Sequence, residues 1–465
     1  MLNPYLISND KNRGFDIVIA NPPYIDSEAM VNKGESELRD YISQKFSFAK
    51  GNWDIYIAFF EIAFNLIKEN GVFTYISPDK WISKPFGYEL RKGIHSSIYS
   101  IAESGRDVFK TANVDSIITI AGKNPFNILK ILKFIENKPK FITNIDKSIL
   151  VEPYAFDWLF SNHIELLLEL ESNHKTLKEI SVCENACATS DAYKLKPLIH
   201  DITPDDFQVN KYLKIINTGT IDKYIPKWGK SPMKYLSNKF MYPVVNRKLF
   251  LSSFKNSYGS KSITPKLIIK GLTLLDACID ELGSIIPGKS TLVIANDNLY
   301  KLKLLVAVLN SNIPIFYIKQ KYPASSYNKG INFSKSMINN LPIPKNMEEH
   351  SDAIVSIVDY VIFLDEQEFE DPNMKLWPAY FQHIIDGIVY ELYFPELLKK
   401  HKRQIISHLG ELPEFSDNMT DNHKMAICKQ VFARLNYKGH PVRNNLFYLD
   451  SIPEIAIIEG KHENN

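Results

Sequence analysis

Cysteine is scarce in this chain of 465 residues, with four in all: Cys183, Cys187, Cys278 and Cys428. They are too few and too scattered for a disulfide framework, and Cys183-x-x-x-Cys187 has no second pair nearby to complete a zinc site. The histidines, among them His95, His163, His200 and His383, show no paired ligand spacing. No metal is expected. Long hydrophobic runs are missing too. The longest, Ile55 to Ile67, is interrupted by Glu61 and Asn65 and is too short to span a bilayer. The Met1 region lacks a basic start followed by an apolar run, so a signal peptide is not expected. A cytoplasmic protein without a membrane partner is the expectation. Neither sign of charge dominates overall, since 55 basic residues face 53 acidic ones. With 45% hydrophobic and 23% charged residues the composition is ordinarily globular, and the length allows two or three domains.

Against this background the stretch Phe15-Asp-Ile-Val-Ile-Ala-Asn-Pro-Pro-Tyr24-Ile25 stands out. Its branched residues read as a buried parallel strand, which Asn21-Pro22-Pro23-Tyr24 breaks at the carboxyl end. Open α/β sheets bind ligands just outside the carboxyl ends of such strands. The prolines stiffen the turn and donate no backbone hydrogen bond, which leaves local carbonyls free to accept. An amide, a bare carbonyl and an aromatic ring are thereby held together. The set suits methylation of an amino group conjugated to a flat ring. The Asn21 side-chain oxygen and the Pro22 carbonyl can bind the two amine hydrogens and favour a pyramidal nitrogen with a localised lone pair. Tyr24 can stack on a base taken out of the duplex.

Asn-Pro-Pro-Tyr after an apolar strand resembles the catalytic motif of amino-group methyltransferases that use S-adenosylmethionine. These include DNA adenine-N6 enzymes, some RNA adenine enzymes and methyltransferases acting on glutamine in release factors. The resemblance implies that Pro23 touches the cofactor. It extends to Asp107-Val-Phe109-Lys-Thr-Ala-Asn-Val-Asp-Ser-Ile-Ile-Thr-Ile-Ala-Gly-Lys123, similar to a late family motif in which an aromatic residue contacts the flipped base. Phe109 then joins Tyr24 in the base pocket; an ordinary core phenylalanine is the other reading.

Residues 15 to 122 read as the second half of a doubly wound, Rossmann-like α/β domain. The pattern predicts a helix from Asp54 to Lys68, a strand from Val72 to Ile76, a helix from Tyr88 to His95, and strands at Ser100 to Ser104 and Ser116 to Ala121. Family members carry a Gly-rich cofactor loop before the Asn-Pro-Pro-Tyr motif. Here 20 residues precede Asn21 and hold one glycine, Gly14. The expectation is a chain lacking the cofactor-binding half: a fragment, a truncated product, or one part of a split enzyme whose other half is a separate polypeptide. Without it the strand Asp16 to Ala20 would present a bare edge, which natural proteins avoid.

A linking helix is predicted from Phe126 to Asn137 and another from Ile164 to Lys178. Short β-like runs follow, with Ile215 to Tyr224, Pro265 to Thr273 and Leu304 to Ser311 the most distinctive. With Gly330-Ile-Asn-Phe333 and Asn340-Leu-Pro-Ile-Pro344 they resemble the target-recognition domain of TaqI-like and type IIG restriction–modification enzymes. Charge points the same way. From Lys223 to Leu275 there are ten lysines, one arginine and no acid; from Asn298 to Met347, seven lysines and no acid. Such one-sided runs suit phosphate and make double-stranded DNA the expected partner. Candidate DNA contacts are Arg247, Lys248, Lys266 and Lys270. Arg247 has donor geometry for a base edge, with a phosphate contact as the alternative.

Three regions are expected: a partial catalytic domain (1–123), a mixed α+β target-recognition domain (124–348) and a helical C-terminal region (349–465). Trp377 to Leu409 carries its apolar stripe. The expected function is site-specific DNA adenine-N6 methylation from S-adenosylmethionine in a restriction–modification or phage-defence system, with Asn21, Pro22, Tyr24 and Phe109 at the base. A non-catalytic DNA-binding specificity subunit is the alternative. RNA methylation fits less well, because the recognition region resembles DNA enzymes.

Overall fold

The computed structural model describes residues 14–105, 115–136, 138–152, 154–327 and 330–461. The chain divides into two compact units, Met1–Ile164 with Lys321–Ala324, and Glu165–Gln320 with Ser325–Asn465.

The first unit is built on a six-stranded mixed sheet. Its strands are β1 (Phe15–Ala20), β2 (Ile67–Pro78), β3 (Ile98–Gly105), β4 (Ser116–Gly122), β5 (Ile128–Ile135) and β6 (Lys138–Asp146), in the order β1-β2-β4-β3-β5-β6. Between β1 and β2 run the short helices α1 (Ser27–Asn32) and α2 (Ser36–Lys45), then α3 (Tyr56–Leu66); α4 (Tyr88–Ile94) precedes β3. β1 and β2 are parallel, with Ile17 opposite Val72 and Ile19 opposite Thr74. β4 lies antiparallel between β2 and β3. At Gly71 a Cβ would sit 2.7 Å from the Phe15 carbonyl, so only glycine lets the two strands close at that end.

One face of this sheet is covered by aromatics. Phe60 and Phe64 of α3 meet Phe73 edge to face at 6.0 and 5.0 Å, and Phe60 reaches Tyr75 and Trp81 at 5.6 and 5.5 Å. The opposite face is open. Ile17 and Ile19 are 62% and 76% exposed, and Val72, Thr74 and Ile76 beside them, with Ile118 and Ile120 beyond, are half-buried. β1 is therefore parallel but not buried. It is an edge strand, and its outer backbone groups meet no strand among the described residues.

Two further expectations are corrected. The apolar spacing of residues 126–137 does not make a helix: Ile128–Ile135 is β5, parallel to β3 and antiparallel to β6. The alternation of Leu129 and Ile131, both buried, against exposed Lys130 is the period of a strand. The sheet thus continues past the boundary expected at 123.

The second unit holds two four-stranded sheets. In one the order is Ile285–Pro287, Tyr212–Ile216, Pro243–Asn246, His200–Asp201; in the other it is Ala277–Asp280, Lys266–Lys270, Thr291–Ala295, Glu184–Asn185. Leu213, Ile215, Val245, Phe250, Tyr258 and Ile286 share one core. Residues 304–311, expected as β-like, belong largely to the helix Leu299–Leu309, where tertiary burial overrides the branched residues. The C-terminal part is helical as expected. Trp377–Tyr393 buries Phe381, Ile384, Ile385, Ile388, Val389 and Leu392 and packs against Ser351–Glu366.

Lys266 is fully buried and donates to Asp280 and to the Ser262 and Thr264 carbonyls. Asp280 also accepts from the Ser284 and Ile285 backbone amides. Asp280→Ala strands a buried ammonium and should cost about 3–5 kcal/mol in urea unfolding. Lys266→Met with Asp280→Leu should recover only part of that, since the two amides lose their acceptor.

Candidate active site

The β1–β2 ladder delivers Asn21 to the carboxyl edge of the sheet, one residue past the Ala20–Tyr75 pairing. There the four motif residues take distinct environments: Asn21 and Pro23 are exposed, Pro22 is buried and Tyr24 is half-buried. The Tyr24 hydroxyl donates to Asn21 Oδ1 at 2.7 Å and lies 3.4 Å from the Ile76 carbonyl. This bond orients the amide oxygen and uses one of its two lone pairs, leaving one for an incoming donor. Among the described residues no donor takes the Pro22 carbonyl. The two acceptors expected from the sequence thus follow one another in the chain just past the carboxyl end of β1.

The loop is held from behind by residues that the sequence reading placed only at the start of a helix. Asp54 Oδ1 accepts from the Ile25 amide at 3.0 Å, Ile55 N donates to the Ile25 carbonyl at 2.9 Å, and Ser27 N donates to the Trp53 carbonyl at 2.9 Å. Tyr24 leans edge to face on Tyr56 at 6.2 Å. Burial pushes the Asp54 carboxyl above its usual range, opposed by the amides of Ile25 and Tyr56. Asp79, just past β2, is also raised by burial and then by repulsion from Asp115. Buried Tyr56 is pushed well up by desolvation, then by Asp54 and Asp79. An acid directly before an aromatic-rich helix, Trp53-Asp54-Ile55-Tyr56, was the available signal.

Phe109 lies outside the described residues. For S-adenosylmethionine, the described residues offer an exposed Pro23 beside an open strand edge and no enclosing set of donors. They do not by themselves fit the cofactor.

In the second unit the structure keeps two of the four expected DNA contacts available. Arg247 is half-buried and Lys248 exposed, both in the first turn of Arg247–Ser253, whose N-terminus Asn246 caps through Leu249 N at 3.1 Å. Lys266 and Lys270 are corrected. Lys266 is sealed against Asp280, and Lys270 pairs with Asp276, both of whose side chains are nearly buried. These ammoniums are neutralised inside the fold rather than offered to phosphate. Among the aromatic residues lying between these lysines in sequence, Tyr224, Tyr235, Phe250, Phe254 and Tyr258 are core residues.

Residues 3–109 match the Eco57I restriction-modification methylase family. The chain is 26% identical over 178 residues to the type II restriction enzyme and methyltransferase RM.Eco57I of Escherichia coli, covering 36% of this chain and 17% of that protein. It is 22% identical over 461 residues to RM.MjaORFECS2P of Methanocaldococcus jannaschii, covering 92% of this chain and 35% of that protein. The chain therefore spans well under half the length of either relative. Among solved structures, the type IIL restriction-modification enzyme MmeI in complex with DNA aligns over 90% of this chain and 56% of its own, at 11% identity and a TM-score of 0.37. The type IIG restriction endonuclease BpuSI aligns over 82% and 54%, at 11% and 0.29.

Asp54→Ala removes a carboxylate acceptor from Ile25 N and should loosen the loop by about 1–3 kcal/mol. Hydrogen exchange at the Ile25 amide should quicken accordingly, while amides in β4 keep their protection.

Proposed function

We propose that this chain carries the base-binding part of a site-specific DNA adenine-N6 methyltransferase of a restriction–modification or phage-defence system. The observation that carries this reading is Asn21 Oδ1, held by the Tyr24 hydroxyl just past the carboxyl end of a parallel strand and followed in the chain by the Pro22 carbonyl, within a region matching a restriction-modification methylase family. The exocyclic amine of adenine is a poor nucleophile because its lone pair is shared with the ring. Two acceptors on its two hydrogens localise that pair and receive the positive charge that develops on nitrogen during methyl transfer. Tyr24 stacks on the extruded base, with its hydroxyl steadying Asn21; Phe109 is the expected second aromatic.

The methyl donor in this reading is S-adenosylmethionine, held chiefly by parts beyond the described residues, with Pro23 at its margin. The open edge and face of β1 suit further strands and helices, supplied by a separate polypeptide or an adjoining segment. The same edge favours a second reading, a DNA-binding specificity subunit without catalysis of its own. Double-stranded DNA is the partner in both, with Arg247 and Lys248 among its contacts, and the cytoplasm is the expected compartment.

Calorimetry of this chain with S-adenosylmethionine should show no micromolar binding; tight binding would overturn the division of labour. With the cofactor-binding half supplied, Asn21→Ala should lower turnover by about 3 kcal/mol, roughly a hundredfold. Tyr24→Ala should weaken capture of the base by about 1–3 kcal/mol. Near-normal turnover for Asn21→Ala, followed by methyl incorporation into duplex DNA, would exclude the assigned role and favour the second reading.

A further inference from the structure

The second unit exposes a cationic ribbon that none of the candidate contacts above includes. Met233–Tyr235 and Asn238–Phe240 form an antiparallel hairpin in which Lys234 stands directly opposite Lys239. Like charges placed so destabilise a strand pair. Both side chains are exposed, and neither has an ion-pair partner among the described residues. Most of the neighbouring lysines behave otherwise. Of the ten lysines between Lys223 and Lys270, four (Lys227, Lys261, Lys266, Lys270) are paired with carboxylates and two more (Lys223, Lys230) donate to carbonyls. The remaining four are Lys234, Lys239, Lys248 and Lys255, and of these Lys234 and Lys239 stand opposed across a strand pair.

The ribbon is firmly seated. Met233 and Tyr235, on the other face, are 1% and 3% exposed within the core, and the Tyr235 hydroxyl donates to the Ala192 carbonyl at 3.1 Å. Asn217 Nδ2 holds the Lys234 carbonyl at 2.7 Å. The two-residue loop puts Leu236 at φ 52°, a conformation that primed hairpin turns require and a branched residue adopts only under constraint. A third ammonium joins at the tip, where Lys196 Nζ donates to Ser237 Oγ at 3.2 Å. Three cations from two chain segments are thus displayed on a rigid two-stranded element.

We propose that the 233–240 hairpin is a phosphate clamp for duplex DNA, with Lys234, Lys239 and Lys196 contacting the backbone. The inference rests on the DNA-binding reading above and deepens it. A polyanion relieves the cross-strand repulsion that no carboxylate among the described residues relieves. Backbone contacts position a protein without reading sequence, so the clamp fixes register while other groups read bases.

The test uses the full chain and labelled duplexes, with anisotropy measured across a salt titration and melting temperature measured beside it. Lys239→Glu turns the opposed like charges into an opposed ion pair. Affinity should fall on every duplex while the melting temperature holds or rises. Lys234→Gln with Lys239→Gln should make the log–log salt slope shallower by about 1.8, two contacts at about 0.9 each. Lys461→Gln, whose ammonium pairs with Asp450 and Glu459, should leave the slope unchanged. If the chain binds duplexes and the double variant keeps the original slope, the clamp is overturned and the DNA reading stands. Affinity lost only together with melting temperature also overturns it, because the lysines then act through the fold. No binding by the unaltered chain at low salt removes both.

Discussion

The parallel ladder between β1 and β2 is the constraint from which the candidate site follows. Pairing of Ile19 with Thr74 and of Ala20 with Tyr75 brings Asn21 out beside Ile76, so that Tyr24 can bridge the amide oxygen and the neighbouring strand. β2 is itself gripped, by aromatics of α3 on one face and by β4 along its other edge. Asp54, at the entrance to α3, then closes the arrangement by holding Ile25. Strand pairing thus sets the position of the acceptors, and the loop behind them sets their orientation.

The same ladder explains what is unusual in the first unit. A strand paired on one side only, with Ile17 and Ile19 turned to solvent, is a poor end state for an apolar segment. The cost is tolerable in the first unit because Phe73 and Tyr75 anchor the opposite face, yet the exposed side keeps the shape and polarity of an interior. An open apolar face beside the Asn21 loop fits a site shared with another structural element.

In the second unit electrostatics divides along the same line between what the fold consumes and what it displays. The acid-free lysine runs look uniform in sequence. Folding brings Asp276 and Asp280 from the next strand and Glu184 from a distant one to meet several of these lysines. Among the described residues Lys234 and Lys239 receive no such partner, and Arg247 and Lys248 sit at the start of a helix whose cap is satisfied by Asn246. Local charge counts overstate the footprint because they omit acids supplied by other strands.

Residues adjacent in sequence were the legible part. Asn21, Pro22 and Tyr24 could be read as a unit because a strand end and two prolines dictate their local geometry, and the periodicities behind α3, α4, β3 and β4 are properties of short windows. Residues 126–137 and 304–311 were misread for the complementary reason. Short apolar runs suit either a helix or a strand until neighbours decide, and β3 pairs with one while surrounding helices bury the other. Asp54 was invisible as a support for the loop because its partner Ile25 lies 29 residues away. Sequence by itself determined the chemistry on offer, an amide, a carbonyl and a ring at one strand end and an abundance of lysine. Tertiary structure alone decided which lysines stay charged at the surface and which face of β1 stays bare, since burial and pairing depend on segments that meet only when the chain folds.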